Sequence, residues 1–467
     1  MKTKTRITLL LFAEAAITLS PARSFLYPTN PLSVPVVADQ SPITHVGIGF
    51  LNGYVMAGDP KTSYSGPARL PVQSVRANAS FGFAIHESDR DRYRIFDGFA
   101  YARSINPRAT LQMVISDGYF MGTPKPWPYT SPETAREWEY LVDQSLRECI
   151  ARFGTSNVQV DLFNEPDSKV PNGSTQSDVD RFLSVSDVAA TDFYDTWKKA
   201  VRHIRKNPEW AGVKIIGPSI SGYNAFVLRF LEAANADGVL PDVVSWHELD
   251  DGSKLDLDGN VSEVRAYMHA RGIPDRQISI NEYLDNAERT SPGISIAFFE
   301  RLEKAGVSTA IKSCWTPEDC GTYYFQGGNY NGLYGRSDST FHPRSIWWAY
   351  RWYADMSGTL LQTPALGKSE VFLGVLDSSA RKLQLVFANA TQSKVVDSRT
   401  VRIERIPADF LGACRIKVEL LKNEGETIHV KPKVLVDRTL ELSSSTLHFE
   451  VPRLNAGDAL RYILIRQ

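Results

Sequence analysis

From about residue 43 to 358, short apolar runs alternate with stretches whose apolar residues recur every three to four positions. The short runs fall at 43–50, 74–83, 111–115, 158–163, 213–217, 243–247, 278–280 and 309–314. None keeps up a sustained in–out alternation. Parallel strands covered on both faces look like this, because neither side meets water. The alternation of such runs with helical patterns predicts βα units. One helix is expected to open at Ser131-Pro132-Glu133, a capping serine followed by proline at the first helical position. Trp138, Leu141, Val142, Leu146, Cys149 and Ile150 continue it at helical spacing. Phe193, Trp197, Val201 and Ile204 form a second stripe. Ser291-Pro292 opens a third helix, through Ile294, Phe298 and Leu302 to a stop at Gly306. Pro343 is expected to open the last, through Trp347, Tyr350 and Tyr353 to Gly358. These aromatic stripes predict packing surfaces rather than binding faces.

Beyond Gly358 the helical spacing disappears. Short β-like runs at 371–376, 382–388, 401–403, 415–421, 433–436, 446–451 and 459–465 are separated by turn residues, the pattern of a β-sandwich. The expected organisation is α/β: a (β/α)8 barrel over 42–358 and a β-sandwich over 359–467. An irregular connecting arm at 25–41, punctuated by Pro28, Pro31 and Pro35, precedes them. The first 24 residues read as an export signal. Lys2, Lys4 and Arg6 precede a mostly apolar stretch at 7–19, interrupted by Glu14, and Ser20-Pro21-Ala22 offers a cleavage site. The protein is therefore expected to be secreted or periplasmic. No other stretch approaches the roughly 18 uninterrupted apolar residues of a membrane span.

Composition narrows the function classes. With 43% hydrophobic residues the chain has ample core material. Lysine plus arginine number 52 against 53 acidic residues, so there is no electrostatic footprint for nucleic acid or an anionic membrane. The four cysteines, Cys149, Cys314, Cys320 and Cys414, match no zinc spacing. Cys314 and Cys320 are close enough to bridge a loop, whereas Cys149 sits in a helical pattern as a buried apolar residue. Asn-x-Ser/Thr sequons occur at Asn78, Asn172, Asn260 and Asn389.

The candidate chemistry lies where two strand patterns end. Asp161-Leu162-Phe163-Asn164-Glu165-Pro166-Asp167 closes the fourth, and Gln277-Ile278-Ser279-Ile280-Asn281-Glu282-Tyr283 closes the seventh. In a (β/α)8 barrel the C-terminal strand ends line the active-site mouth. Two carboxylates facing each other there suit glycosidic cleavage: one protonates the leaving oxygen and the other attacks the anomeric carbon, about 5–5.5 Å apart in a retaining site.

An Asn-Glu-Pro at the fourth strand with a glutamate ending the seventh resembles clan A of the glycoside hydrolases. The barrel-plus-sandwich layout is most like family 39. The resemblance spans roughly residues 40–467 in architecture, and only the short motifs match sharply. It implies that Glu165 is the acid/base, Glu282 the nucleophile, and Asn164 a ligand of the sugar 2-hydroxyl. It also implies a carbohydrate substrate, a β-glycoside or the stereochemically equivalent α-L-arabinoside, and no metal or organic cofactor. A charged Glu282 nearby would keep Glu165 protonated. Once a glycosyl-enzyme forms that charge is gone, and Glu165 can act as base.

Further candidates follow from position. His247, ending the sixth strand, stands where the resemblance to clan A implies a residue touching the nucleophile or the substrate; the alternative is a satisfied core histidine. Glu248 beside it is a third acid near the mouth, expected to bind a hydroxyl or hold His247. Trp315, after the eighth strand, is either the floor of the first sugar subsite or a packed core residue. Tyr223 and Asn224 after the fifth strand, and Asp117, Tyr119 and Trp127 after the third, are mouth positions by topology alone. The aromatic, glycine-rich segment 323–334 would wall a subsite or pack on itself, and its Gly327-Gly328 does not fit a phosphate loop. Two rival functions remain. A carbohydrate-binding protein on a degenerate barrel would have little reason to keep both glutamates. A metal-dependent hydrolase would require clustered His and Asp at strand ends, and the chain has eight His and no His-x-His after the first strand.

Overall fold

The computed structural model describes residues 31–51, 70–78, 94–115, 127–167, 191–249, 256–316, 331–337, 340–362, 364, 366 and 369–467. The export signal read at 1–24, Asp117, Tyr119, Cys320, residues 323–330 and the sequon Asn172 lie outside them.

Two short strands come first, β1 (Leu32–Pro35) and β2 (Ala38–Pro42). Eight parallel strands then close into a barrel: β3 (Gly49–Leu51), β4 (Ser74–Asn78), β5 (Thr110–Val114), β6 (Val158–Asp161), β7 (Lys214–Ile220), β8 (Val243–Glu248), β9 (Gln277–Tyr283) and β10 (Thr309–Lys312). Around it run α1 (Arg94–Ile105), α2 (Pro132–Phe153), α3 (Asp192–Lys206), α4 (Ala225–Ala236), α5 (Leu257–Ala270), α6 (Pro292–Ala305) and α7 (Ser345–Ala354). A hairpin of β11 (Tyr334–Ser337) and β12 (Thr340–Pro343) precedes α7. The remaining strands are β13 (Thr359–Leu361), β14 (Glu370–Asp377), β15 (Lys382–Asn389), β16 (Arg399–Glu404), β17 (Gly412–Leu421), β18 (Lys433–Leu442), β19 (Leu447–Val451) and β20 (Ala459–Arg466).

The helix signals act as expected. Ser131 and Thr134 form a reciprocal capping box ahead of Pro132. Ser291 caps α6, and Gly306 ends it with φ +61°. Three expectations need correction. Pro343 does not open a helix; it ends β12, and α7 begins at Ser345. The first barrel strand is shorter than 43–50. The backbone N–H groups of Thr44 and His45 turn instead to the buried Glu303 carboxylate at 3.1 and 2.8 Å, and His45 adopts φ +61°. The segment 25–41 is not wholly irregular. β1 pairs in parallel with β16, and β2 pairs antiparallel with β13. Val34 and Val36 are buried in the sandwich core. Pro35 is tolerated in β1 because this strand lies at a sheet edge, where a missing N–H costs no ladder bond.

The C-terminal sheets are layered on the barrel. One has seven strands, in the order β18-β17-β20-β15-β14-β13-β2, and the other three, β1-β16-β19. Strand alternation splits β14 between two cores. Val371, Leu373 and Val375 join the barrel's core beside α6 and α7, while Phe372 points into the core between the sheets. Gly293 opens α6 where two turns of the sandwich pass over it. A Cβ there would meet the Asn389 and Gly457 carbonyl oxygens at 2.4 and 2.7 Å. Arg461 of β20 pairs with Glu419 and lies over the Trp352 ring of α7.

Two sequons are already occupied by the fold. Asn389 is fully buried and donates to three carbonyls, and Asn260 donates to Glu248. Cys314 is disulfide-bonded, while Cys149 and Cys414 are buried free thiols. No helix among the described residues is long and apolar enough to cross a membrane.

Candidate active site

The inward-facing residues of this barrel are strongly polar. Deepest is a layer of Gln112, Gln159, Ser279 and Thr309, joined by hydrogen bonds of 2.7–3.1 Å. One layer nearer the C-terminal strand ends, Arg76, Asp161, Ser219, Ser245 and Asn281 meet. Arg76 comes from β4 and is only 1% exposed. Its Nε and Nη2 donate to Asp161 Oδ2 at 3.1 and 2.9 Å, and Nη2 also donates to Asn164 Oδ1 at 2.8 Å. Its Nη1 donates to Glu282 Oε1 at 2.7 Å. Asn281 donates to Asp161 at 2.9 Å, and the Ser219 hydroxyl does so at 2.8 Å. Complete burial pushes the Asp161 carboxyl upward, while Arg76 and the Ser219 hydroxyl pull it back. One guanidinium thus ties together the strand ends that carry Asn164 and Glu282.

Glu165 and Glu282 sit at the rim of this layer, with His247 between them. The imidazole is fully buried. Its Nδ1 is 3.1 Å from Glu165 Oε1, and its Nε2 is 3.8 Å from Glu282 Oε1. One atom from each of the three side chains lies within 4.8 Å of the other two. The Ser313 hydroxyl is 3.4 Å from Glu282 Oε2. The same three groups could hold a divalent cation. However, the oxygen of Glu282 nearest His247 already accepts from Arg76, which supplies positive charge at that point.

The other sequence candidates divide. Trp315 is 37% exposed, and its indole N–H donates to the Leu284 carbonyl at 2.9 Å, two residues past Glu282. Trp315 is therefore not a packed core residue. Glu248 does not face the mouth. Strand alternation sends it outward, where its Oε1 accepts from Trp246 Nε1 at 2.7 Å and from Asn260 of α5 at 2.8 Å. It neither holds His247 nor lies beside the two glutamates. Tyr223 also leaves the mouth: its hydroxyl donates to Glu263 of α5, and its ring packs on Trp246. Asn224 caps α4. Trp127 packs against Phe163 and Phe193 in the helix layer. Replacing Glu248 with alanine is expected to leave kcat within about threefold. It should cost about 1–3 kcal/mol in stability, for the donors it orphans. A tenfold fall in kcat, with the melting temperature unchanged, would return Glu248 to the mouth.

Arg76, Asp161, Ser219 and Asn281 were missed by the sequence reading. Their signal was polar residues at inward positions of apolar strands, a pattern that a bare hydrophobic count passes over.

Comparison with known proteins adds an independent line. No protein-family model matches the chain. A 3-O-alpha-D-galactosyl-alpha-L-arabinofuranosidase of Bifidobacterium longum subsp. longum is 28% identical over 353 residues, 68% of this chain and 30% of that protein. A 3-O-beta-L-arabinopyranosyl-alpha-L-arabinofuranosidase of Bifidobacterium pseudocatenulatum is 25% identical over 235 residues, 47% of this chain and 23% of that protein. The chain is glycoside hydrolase-like. It spans less than a third of the length of either curated relative. Among solved structures, N2152 from Neocallimastix frontalis matches with a TM-score of 0.74 at 22% identity, covering 93% of this chain and 99% of that one. A monomeric beta-xylosidase from Caulobacter crescentus gives 0.61 at 14%, and an alpha-L-arabinofuranosidase from Thermotoga maritima 0.59 at 13%, each with 93% and 99% coverage. At these identities the solved structures speak to the fold: a (β/α)8 barrel accompanied by β-sheets.

Proposed function

We propose that this chain is a retaining glycoside hydrolase of clan A that cleaves α-L-arabinofuranosidic bonds, with Glu165 as general acid/base and Glu282 as nucleophile. Family 39 is the proposed family, a reading supported by the barrel-plus-sandwich layout. The observation that carries the reading is the pair of carboxylates, from β9 and from the turn after β6, with oxygens within 4.8 Å of each other. A short separation of this kind supports a retaining pair, whose carboxyls stand roughly 5–5.5 Å apart, over an inverting pair at roughly 6.5–9.5 Å. The choice of sugar rests on the two curated relatives, both of them arabinofuranosidases.

The residues divide the work in two steps. Arg76 holds Glu282 Oε1, leaving Oε2, with Ser313 at 3.4 Å, as the attacking oxygen. Oε2 bonds to the anomeric carbon while the bond to the leaving oxygen breaks. The Glu165 proton passes to that oxygen. Water then attacks the same carbon, Glu165 takes its proton, and the ester bond to Glu282 breaks. Asn164, held through its Oδ1 by Arg76, is the proposed ligand of the sugar 2-hydroxyl. The covalent chemistry requires no cofactor. Carbohydrate outside the cell is the substrate that an exported chain would meet.

The test is turnover of a panel of aryl glycosides, with the first-formed anomer read by proton NMR. Release of arabinose with retained configuration supports the proposal. Inverted product would overturn the mechanism. Binding of arabinan fragments without any turnover would favour a carbohydrate-binding protein. Turnover abolished by a chelator and restored by a divalent cation would favour the metal-dependent alternative.

A further inference from the structure

Glu165 carries the proton in the proposed reaction, and its backbone is held in an unusual state. Its φ is +48°, the left-handed region that a residue with a Cβ enters only at a steric cost. Such conformations persist where neighbours impose them. The turn from Asp161 to Asp167 is latched to the end of β7 at three points. The Ser219 hydroxyl donates to Asp161 at 2.8 Å. The Glu165 N–H donates to the Ser219 carbonyl at 2.9 Å. Two residues past Glu165, Asp167 accepts from the Ser221 N–H at 2.9 and 3.2 Å, and from the Ser221 hydroxyl at 2.7 Å. Ser219 has φ +57°, so both chains bend sharply where they meet.

Asp167 is buried and spends both oxygens on Ser221. Its carboxyl feels the Glu165 charge, but its hydrogen bonds go to Ser221. Its three hydrogen bonds close the turn that fixes where the Glu165 side chain emerges. We propose that Asp167 is a positioning residue for the acid/base: its latch onto Ser221 holds the Glu165 carboxyl against the leaving-group oxygen. The inference rests on the hydrolase reading above. It adds that proton delivery at Glu165 is set by the contact between the loops after the fourth and fifth barrel strands, and not by the mouth residues alone.

The experiment compares leaving groups. Wild type, Asp167→Asn and Ser221→Ala would be assayed on phenyl and 2,4-dinitrophenyl α-L-arabinofuranosides, with and without azide. Phenolate needs the Glu165 proton to depart; dinitrophenolate does not. General acid–base catalysis contributes about 10²–10⁴-fold, so partial misplacement in Asp167→Asn should lower kcat/KM on the phenyl glycoside about 30–100-fold. On the dinitrophenyl glycoside kcat/KM should stay within about threefold, while kcat and KM fall together because the second step lacks a well-placed base. Azide should restore kcat. It attacks the anomeric carbon in place of water, expels the Glu282 carboxylate and gives the glycosyl azide, with no proton to remove. Ser221→Ala, which removes the hydroxyl and leaves the backbone N–H as the remaining donor, should show the same pattern at about fivefold on the phenyl glycoside. Equal losses on both leaving groups with no azide effect would overturn the inference, as would wild-type rates in both variants. A wild-type chain inert on both glycosides would overturn the hydrolase reading, and this inference with it.

Discussion

Replacing Glu282 with glutamine is expected to lower kcat/KM on an aryl α-L-arabinofuranoside by at least about 10⁴-fold, or about 5 kcal/mol of transition-state stabilisation. Glutamine keeps the shape and still offers an oxygen to Arg76 Nη1, so the fold should stand and the melting temperature should move little. The amide cannot form the glycosyl ester. Turnover within tenfold of wild type would mean that another group attacks the anomeric carbon, and the pairing of Glu165 with Glu282 would fall. Glu165→Gln should behave differently. Its loss should grow with the basicity of the leaving group, because only the proton is missing.

The second large effect concerns Arg76. Its guanidinium is buried between two carboxylates, Asp161 at 2.9 Å and Glu282 at 2.7 Å. Arg76→Met would leave the buried Asp161 without its cation. Breaking a buried pair in this way costs about 3–5 kcal/mol, so the thermal midpoint should fall sharply and activity with it. The double variant Arg76→Met/Asp161→Asn should recover part of the stability, because the fully buried carboxylate is gone and only the rim carboxylate of Glu282 remains without its cation. It should recover none of the activity, because Glu282 still lacks its donor. Arg76→Lys separates the two roles. The charge remains, but one ammonium cannot serve Asp161, Asn164 and Glu282 at once, so kcat/KM should fall about 10²-fold with a smaller loss of stability. A double variant no more stable than Arg76→Met would contradict the electrostatic account of this layer.

The two glutamates were legible because they stand where the apolar strand pattern stops, beside a proline or a tyrosine. Arg76 was not, because its meaning lies in partners 85 and 206 residues away. Within β4 it is an odd cation in a short strand; only barrel closure shows what it neutralises. His247 and Glu248 were both placed near the mouth. The alternation of a strand puts one inward and the other against α5, a rule that could have separated them in advance. Tyr223 lies in a turn, where no such rule applies, and it took the fold to turn its hydroxyl to Glu263. The segment before the barrel was misread for a different reason. A proline such as Pro35 is a breaker in an interior strand, but β1 is an edge strand whose partner, β16, follows the entire barrel. Periodicity recovered the barrel and the sandwich as separate patterns. It could not recover the seam between them, where alternate residues of β14 serve two cores.

The central claim is that Glu282 becomes covalently bonded to the sugar while Glu165 manages the proton. Incubating Glu165→Ala with 2,4-dinitrophenyl α-L-arabinofuranoside should speed the first step relative to the second. The intact-protein mass should then rise by one anhydropentose, and peptide mapping should place the adduct on Glu282. A chain that releases dinitrophenolate with no adduct, or with the sugar on any other residue, would contradict the account.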